Sequence, residues 1–302
     1  MSEDCSTIAE AVGWATERLR PVSDTPRLDA ELLLGQILSW GRARVLAERR
    51  HLLTSAQRSM LRELVARRAD QEPIAYIVGH KEFYGLDFIV DRTVLVPRPE
   101  TELLVELALD FVRRKTEDQR RTQESAILQP LAIADIGTGS GAIAVALATQ
   151  LPDAQLYATD ISQAALLIAR QNAERHRVAP RVRFGAGDLL DALDQPVDVI
   201  VSNPPYTILA EISAGVRRHE PQLALDGGHD GLAIYRRLIA QAHANLRPGG
   251  AIILEIGATQ GAAVVALART HFPLAQIAVY RDLAGHDRVV AIETADRPAR
   301  IA

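Results

Sequence analysis

Cysteine is almost missing from this 302-residue chain: Cys5 is the only one, and it sits in a polar N-terminal stretch. One cysteine permits no intrachain disulfide and no cysteine-ligated metal cluster, which fits a reducing compartment and a cytoplasmic enzyme. The eight histidines show no metal-ligand spacing, so no metal is expected. Aromatic residues make up only 4%, yet 48% of the chain is hydrophobic, enough for a sizeable core. Long apolar runs are lacking too. The nearest, Leu131 to Leu151, contains Asp135 and three closely spaced glycines and reads as strand, loop and helix, so no membrane span is expected. The opening MSEDCSTIAE has acids where a secretory leader would have a basic start and an apolar run, so no export signal is visible. Excess positive charge is also absent. A formal net charge of −4 offers no general attraction to phosphate backbones and counts against a nucleic-acid substrate.

Three stretches of different character follow one another. From Ser6 to about Ala69 the pattern is helical: Ile8, Val12 and Ala15 share a face, and Leu28, Leu32 and Ile37 recur at roughly helical spacing. Thr25 before Pro26 reads as an N-cap and first helical position, and Thr54 with Gln57 as a capping box. Pro73 ends this region, so residues 1–75 are expected to form a small helical bundle. In residues 76–99, β-rich runs at Phe83 to Val90 and Thr93 to Val96 flank Asp91 and Arg92 as a short hairpin linker. A catalytic domain over 100–302 then opens with a helix from Glu100 to about Arg114 and the charged, solvated stretch RRKTEDQRRTQES. Strands and helices alternate from Leu131 onward, the mark of an α/β fold with a parallel sheet covered by helices on both faces. The last runs, QIAVYRD and RVVAIET, lie close together around Gly285 and predict a terminal antiparallel pair, which is similar to a Rossmann-like class I methyltransferase sheet.

The strand LAIADI leads into Gly137, Thr138, Gly139, Ser140 and Gly141 and then an apolar helix, so backbone N–H groups and a helix N-terminus would face a ligand on the turn. Asp160 ends the next strand about twenty residues on, where a carboxylate can accept from both ribose hydroxyls of a nucleoside. NAD or S-adenosylmethionine (SAM) would suit this arrangement, and the G-x-G-x-G spacing tilts the choice toward SAM. Asp188, at the end of the third strand, is placed to accept from an adenine amino group, with Leu189 beside the ring. Asp135 either contacts the cofactor's amino group or holds the glycine loop.

The fourth strand runs directly into Asn203, Pro204, Pro205 and Tyr206 at the carboxyl edge of the sheet. Successive prolines fix the backbone and remove two N–H donors, leaving carbonyls as acceptors near the Asn203 side-chain oxygen. An NH₂ group fits such a pair. An amide nitrogen needs the help, because its lone pair is held by conjugation worth something approaching the roughly 18–20 kcal/mol barrier to amide rotation. With Asn203 and the Pro204 carbonyl each accepting one N–H, positive charge growing on the nitrogen is stabilised, while Tyr206 packs on the planar acceptor. Asn203 also borders the cofactor. His219 and Glu220 imitate an acid–base pair but read better as part of a loop shaping the pocket.

These motifs, together with EPIAYIVGHKEFYGLDFIVDRTVLVPRPETE and HEPQLALDGGHDGL, resemble the release-factor protein-(glutamine-N5) methyltransferases, the HemK/PrmC family, over nearly the whole chain. The resemblance implies a helical substrate-docking domain, a hairpin linker and a SAM-dependent catalytic domain. It also implies the GGQ glutamine of peptide-chain release factors as acceptor, with S-adenosylhomocysteine as product. It assigns Gly137 through Gly141 and Asp160 to SAM and Asn203 through Tyr206 to the glutamine. Leu189 departs from the aromatic residue that many members carry there, which bears on adenine stacking and affinity. A ribosomal-protein glutamine would need the same chemistry, and an adenine amino group, presented on a flipped base, would suit the same acceptors.

Overall fold

The computed structural model describes residues 6–122 and 130–295, so Cys5 and the end of the charged stretch lie outside the described residues. The chain divides into two compact units. The first runs to His80 and regains Ser213–His219 later in the chain; the second holds the remainder.

The first unit begins with helices α1 (Ile8–Leu19), α2 (Pro26–Leu38), α3 (Arg42–Ala47), α4 (Ser55–Ala69) and α5 (Ile74–Val78). Capping boxes open two of them: Thr7 pairs with Glu10, and Thr54 with Gln57, each satisfying otherwise orphaned N–H groups. Pro26 does start α2, but Thr25 makes no side-chain capping bond. In α1 the buried stripe is Ile8, Ala11, Ala15 and Leu19, packed on Leu33 and Leu34 of α2 and Leu61 and Val65 of α4. Val12 and Ile37 are partly buried and pack against this core, while Leu28 and Leu32, also partly buried, are not part of it, a correction to the expected face of α2. The reason is visible in α2, which buries acids as well as leucines. Asp29 receives Arg68 Nε at 2.7 Å, and Glu31 receives Arg27 and Arg42 at 2.9 and 2.8 Å. A helix packed over so wide an arc has no single apolar stripe to read.

From His80, the last residue of the first unit's leading segment, the chain runs into a hairpin of β1 (His80–Phe83) and β2 (Leu86–Ile89). Its turn is Tyr84–Gly85, both at positive φ (53° and 72°), the two-residue geometry that matches strand twist. The hairpin therefore lies earlier than expected, and Thr93–Val96 forms no strand. Asp91 Oδ1 accepts from Thr93 N at 2.8 Å and turns the chain there instead.

Helix α6 (Glu102–Thr122) outlasts its expected end, because the charged stretch continues it. Arg114 pairs with Asp110 one turn back at 3.0 Å and with Glu293 at 2.7 Å, while Lys115 Nζ donates to the Gly249 carbonyl at 2.8 Å. Then follow β3 (Ala132–Ile136), α7 (Ala142–Gln150), β4 (Gln155–Asp160), α8 (Gln163–Arg175), β5 (Val182–Ala186) and β6 (Val197–Ser202). After α9 (Ala214–His219), which belongs to the first unit, come α10 (Ala233–Asn245), β7 (Leu246–Glu255), α11 (Gly261–His271), β8 (Gln276–Arg281) and β9 (Asp287–Glu293).

The sheet has seven strands in the order β5-β4-β3-β6-β7-β9-β8. The first five are mutually parallel, and β9 runs antiparallel to both β7 and β8. This is the expected α/β sheet with its terminal antiparallel pair. Strands β3 and β6 are buried along their whole length, as central parallel strands must be when helices cover both faces. No described helix is long and apolar enough to cross a membrane.

Candidate active site

From β3 the chain builds outward through β4 to β5, then returns across to β6 on the other side of β3. That reversal opens a crevice at the carboxyl ends of β3 and β6, the usual ligand position in an open α/β sheet. A cavity of about 220 Å³ lies there, lined by Gly137, Gly139, Asp160, Asp188, Leu189, Asn203 and Pro205 among others. Seven residues singled out from separate parts of the sequence thus meet in one place. Thr138, Ser140, Gly141, Pro204 and Tyr206 are not among the lining residues, and each has a different task.

The glycine loop is tied down from behind. Thr159 O accepts from both Gly137 N and Thr138 N at 2.9 Å. Asp135, completely buried, accepts through Oδ2 from Thr138 Oγ1 at 2.6 Å and from Ala144 N at 3.1 Å. Of the two roles left open for Asp135, these two bonds display loop-holding. Burial pushes its carboxyl up to about 7, and Oδ1 has no hydrogen-bond partner among the described residues. The Ser140 carbonyl accepts from buried Asn172 Nδ2 at 2.8 Å, and the same nitrogen donates to Ile89 O at 2.9 Å. Gly141 (φ 80°) starts α7 where a Cβ would lie 3.1 Å from Ala169 of α8. At Gly137 and Gly139, also at positive φ, a Cβ would meet nothing within 4 Å. Those two positions leave the backbone bare toward the cavity, as close approach of a ligand requires.

Asp160 Oδ2 accepts from Gly139 N at 2.9 Å and Oδ1 from Ser162 N at 2.8 Å. Burial raises its pKa, opposed by those N–H bonds. Ser162 caps α8, accepting from Ala165 N at 3.2 Å. The Asp160 carboxylate keeps lone pairs for further donors, since each oxygen can accept two. Asp188 forms an ion pair with Arg237 of α10, a cavity-lining residue that nothing in the motif spacing marked. Leu189 adopts positive φ (55°) and offers an aliphatic side chain to the cavity alongside Ile161 and Ile234. Carboxylates near the strand ends, bare glycine backbone and apolar walls fit a nucleoside carrying a charged tail. Among the described residues no acidic, histidine or cysteine group could hold a metal.

At the end of β6, Asn203 Nδ2 donates to Thr101 Oγ1 at 3.2 Å, and Thr101 in turn donates to Glu255 Oε2 at 2.6 Å. No donor among the described residues reaches the Asn203 Oδ1 or the buried Pro204 carbonyl. Tyr206 is half-buried; its hydroxyl donates to Glu255 Oε1 at 3.2 Å, and burial, then the nearby Glu255, pushes it up to about 12. Gln260 Nε2 fixes the Tyr206 carbonyl at 3.1 Å, and Tyr206 borders an adjoining hollow of about 320 Å³ with Ile208, Leu232 and Thr259. Glu220 is buried and accepts two bonds from Arg98 Nη2 at 2.6 and 2.8 Å, so it anchors its loop. His219 lies in the first unit, where its Nε2 meets the Asp70 carbonyl at 2.9 Å.

The sheet order, the glycine loop after β3 and the carboxylate after β4 define a class I methyltransferase. Solved structures of similar fold include the hMettl16 catalytic domain, human, at 16% identity over 78% of this chain and 83% of that one, with a TM-score of 0.52. The delta-N METTL16 methyltransferase domain is similar at 17% identity over 71% and 90%, with a TM-score of 0.50. Sequence comparison narrows the class. Residues 10–79 match the PrmC N-terminal domain, and residues 125–218 match the methyltransferase small domain. Proteins named release factor glutamine methyltransferase are similar over nearly full length. The one from Moorella thermoacetica is 44% identical over 93% of this chain and 96% of its own. The one from Rhodopirellula baltica is 39% identical over 96% and 97%. The chain belongs to the release factor glutamine methyltransferase family.

Proposed function

We propose that this enzyme methylates the side-chain amide nitrogen of the glutamine in the GGQ motif of peptide-chain release factors, with S-adenosylmethionine as donor. The observation that carries the chemistry is the pair of oxygens, Asn203 Oδ1 and the Pro204 carbonyl, to which no described residue donates. Two acceptors on consecutive residues suit the two protons of a carboxamide NH₂. The family supports glutamine over an adenine amino group.

SAM, when bound, supplies an electrophilic methyl on a sulfonium. Gly137 and Gly139 would lie against it through their backbone, Asp160 would accept from its ribose hydroxyls, and Asp188 with Leu189 would border the adenine. Thr138, Ser140 and Gly141 would act indirectly, by fixing the loop. Asn203 and Pro204 hold the substrate nitrogen by its protons and favour its pyramidal form, freeing the lone pair and stabilising the positive charge that grows there. Tyr206, with its hydroxyl tied to Glu255, offers a ring face to the planar amide. Alignment contributes more than either acceptor: about 7–11 kcal/mol is available from orientation, against about 2.7–4 for one such polar group. The proton departs after transfer, from a nitrogen made strongly acidic by alkylation, so no strong base is needed. The helical N-terminal region is assigned to docking the protein substrate.

The test is transfer of labelled methyl from SAM to purified release factor, beside a GGQ-to-GGA release factor, a ribosomal-protein mixture and double-stranded DNA. Label on the intact release factor alone, mapped to the glutamine, is expected. Label on a ribosomal protein or on DNA would overturn the substrate.

A further inference from the structure

Asn203 can serve as an acceptor only if its carboxamide is turned the right way round, because a half-turn exchanges oxygen for NH₂ at little steric cost. The prolines that follow do not settle that choice. Behind Asn203 stand Thr101, in the 3₁₀ turn Pro99–Thr101, and Glu255, the last residue of β7. They are 5% and 1% exposed, and neither lines the cavity.

The Thr101 hydroxyl has one proton, and it lies on the bond to Glu255 Oε2 at 2.6 Å. Toward Asn203, 3.2 Å away, Thr101 Oγ1 therefore presents only lone pairs. An N–H satisfies them; a carboxamide oxygen would leave two acceptors facing each other with no proton between. Glu255 Oε1 accepts from Tyr206, so the carboxylate receives along both branches and gives along neither.

We propose that Thr101 and Glu255 are positioning residues that set the polarity of the Asn203 carboxamide, committing its NH₂ to Thr101 and leaving Oδ1 for the substrate nitrogen. This deepens the proposed function and rests on the acceptor role given there to Asn203. Every donor in the series points the same way: substrate N–H to Asn203, Asn203 to Thr101, Thr101 to Glu255. Hydrogen bonds in such a chain polarise one another, so a carboxylate at its end makes Oδ1 a stronger acceptor for a nitrogen acquiring positive charge.

The chain contains three asparagines, Asn172, Asn203 and Asn245, so selective ¹⁵N-asparagine labelling gives three side-chain NH₂ signals, that of Asn203 being the one lost in Asn203→Ala. In Thr101→Val, which keeps the side-chain shape, the Asn203 NH₂ protons are expected to shift and to exchange with water about tenfold faster, the worth of one hydrogen bond. Turnover on release factor falls by a similar factor with SAM affinity unchanged. Thr101→Ser restores both. Glu255→Gln, which can donate to Thr101 and reverse the chain, lowers turnover without altering SAM affinity. Unchanged Asn203 NH₂ signals in Thr101→Val, or lost turnover that Thr101→Ser does not restore, would overturn the assignment. A wild-type enzyme inactive on release factor defeats the functional reading instead, and the NH₂ signals still decide the polarity.

Discussion

Truncating Asn203 to alanine separates the acceptor pair from the fold. Among the described residues the side chain makes one bond, to Thr101 at 3.2 Å, while Thr101 donates its own proton to Glu255 at 2.6 Å. The truncation strands no buried donor, so its cost to stability is that of one ordinary hydrogen bond, about 1 kcal/mol. The cost to chemistry is larger. On the proposed mechanism one of two oxygens facing a growing positive charge is removed, and a single preorganised group of that kind is worth about 2.7–4 kcal/mol, or about 10²–10³ in kcat. Single-turnover transfer of labelled methyl to release factor, with enzyme in excess, reads the chemical step directly. Urea denaturation and calorimetric titration with S-adenosylhomocysteine supply the controls. The rate constant is expected to fall at least about a hundredfold while the denaturation midpoint and the affinity for the product barely move. A rate within about threefold of wild type, in an equally stable protein, would refute the acceptor role.

Other perturbations test the scaffold around the site. Asp135 has its carboxyl raised from 3.8 to about 7 by burial, so the folded state holds that proton more tightly than the unfolded chain does. Its stabilising contribution is complete below the unfolded value and is lost as pH rises through the folded one, a change of about 4 kcal/mol. Asp135→Asn should therefore flatten the fall in stability between about pH 4 and pH 7; parallel urea-midpoint curves for variant and wild type would contradict this. Arg98→Ala strips the guanidinium from the Glu220 carboxylate, whose side chain is 2% exposed, and should cost about 3 kcal/mol in urea denaturation. Gly139→Ala places a methyl where nothing stands within 4 Å, at a φ of 56°. Stability should drop by about 1 kcal/mol for the left-handed backbone, with a clear loss of S-adenosylhomocysteine affinity by calorimetry.

The catalytic unit was largely legible because its signals are local. Buried parallel strands read as short apolar runs, and glycines at Gly137, Gly139 and Gly141 mark a turn that few other residues could make. The helical region was harder. In α2, Leu33 and Leu34 are buried rather than Leu28 and Leu32, since neighbouring helices cover a wide arc that includes Asp29 and Glu31. The hairpin was displaced because Tyr84–Gly85 forms the turn at positive φ, whereas Asp91 bends the chain after the strands have ended. Within the site, residues near Gly137, Asp160 and Asn203 could be found by spacing alone. Thr101, Arg237 and Glu255 could not: they reach it through tertiary contacts, Thr101 from 102 positions before Asn203. Thr101 and Glu255 lie in the runs VPRPETE and LEIG, which no local rule interprets, and Arg237 lies in no marked run at all.

The assignment of α9 to the first unit bears on how the chain is made. That unit is encoded up to His80 and then again at Ser213–His219, where Gly215 packs on Gln71 and His219 bonds to the Asp70 carbonyl. A ribosome delivers these segments in order, so the early helices must wait for their last piece while about 130 intervening residues are translated, on the order of 10 s at typical elongation rates. Throughout that interval α9 has yet to be synthesised. The helical unit is thus begun first but completed only after the central strands of the sheet have been synthesised, and a gene fragment ending near residue 80 would encode a bundle lacking one of its own helices.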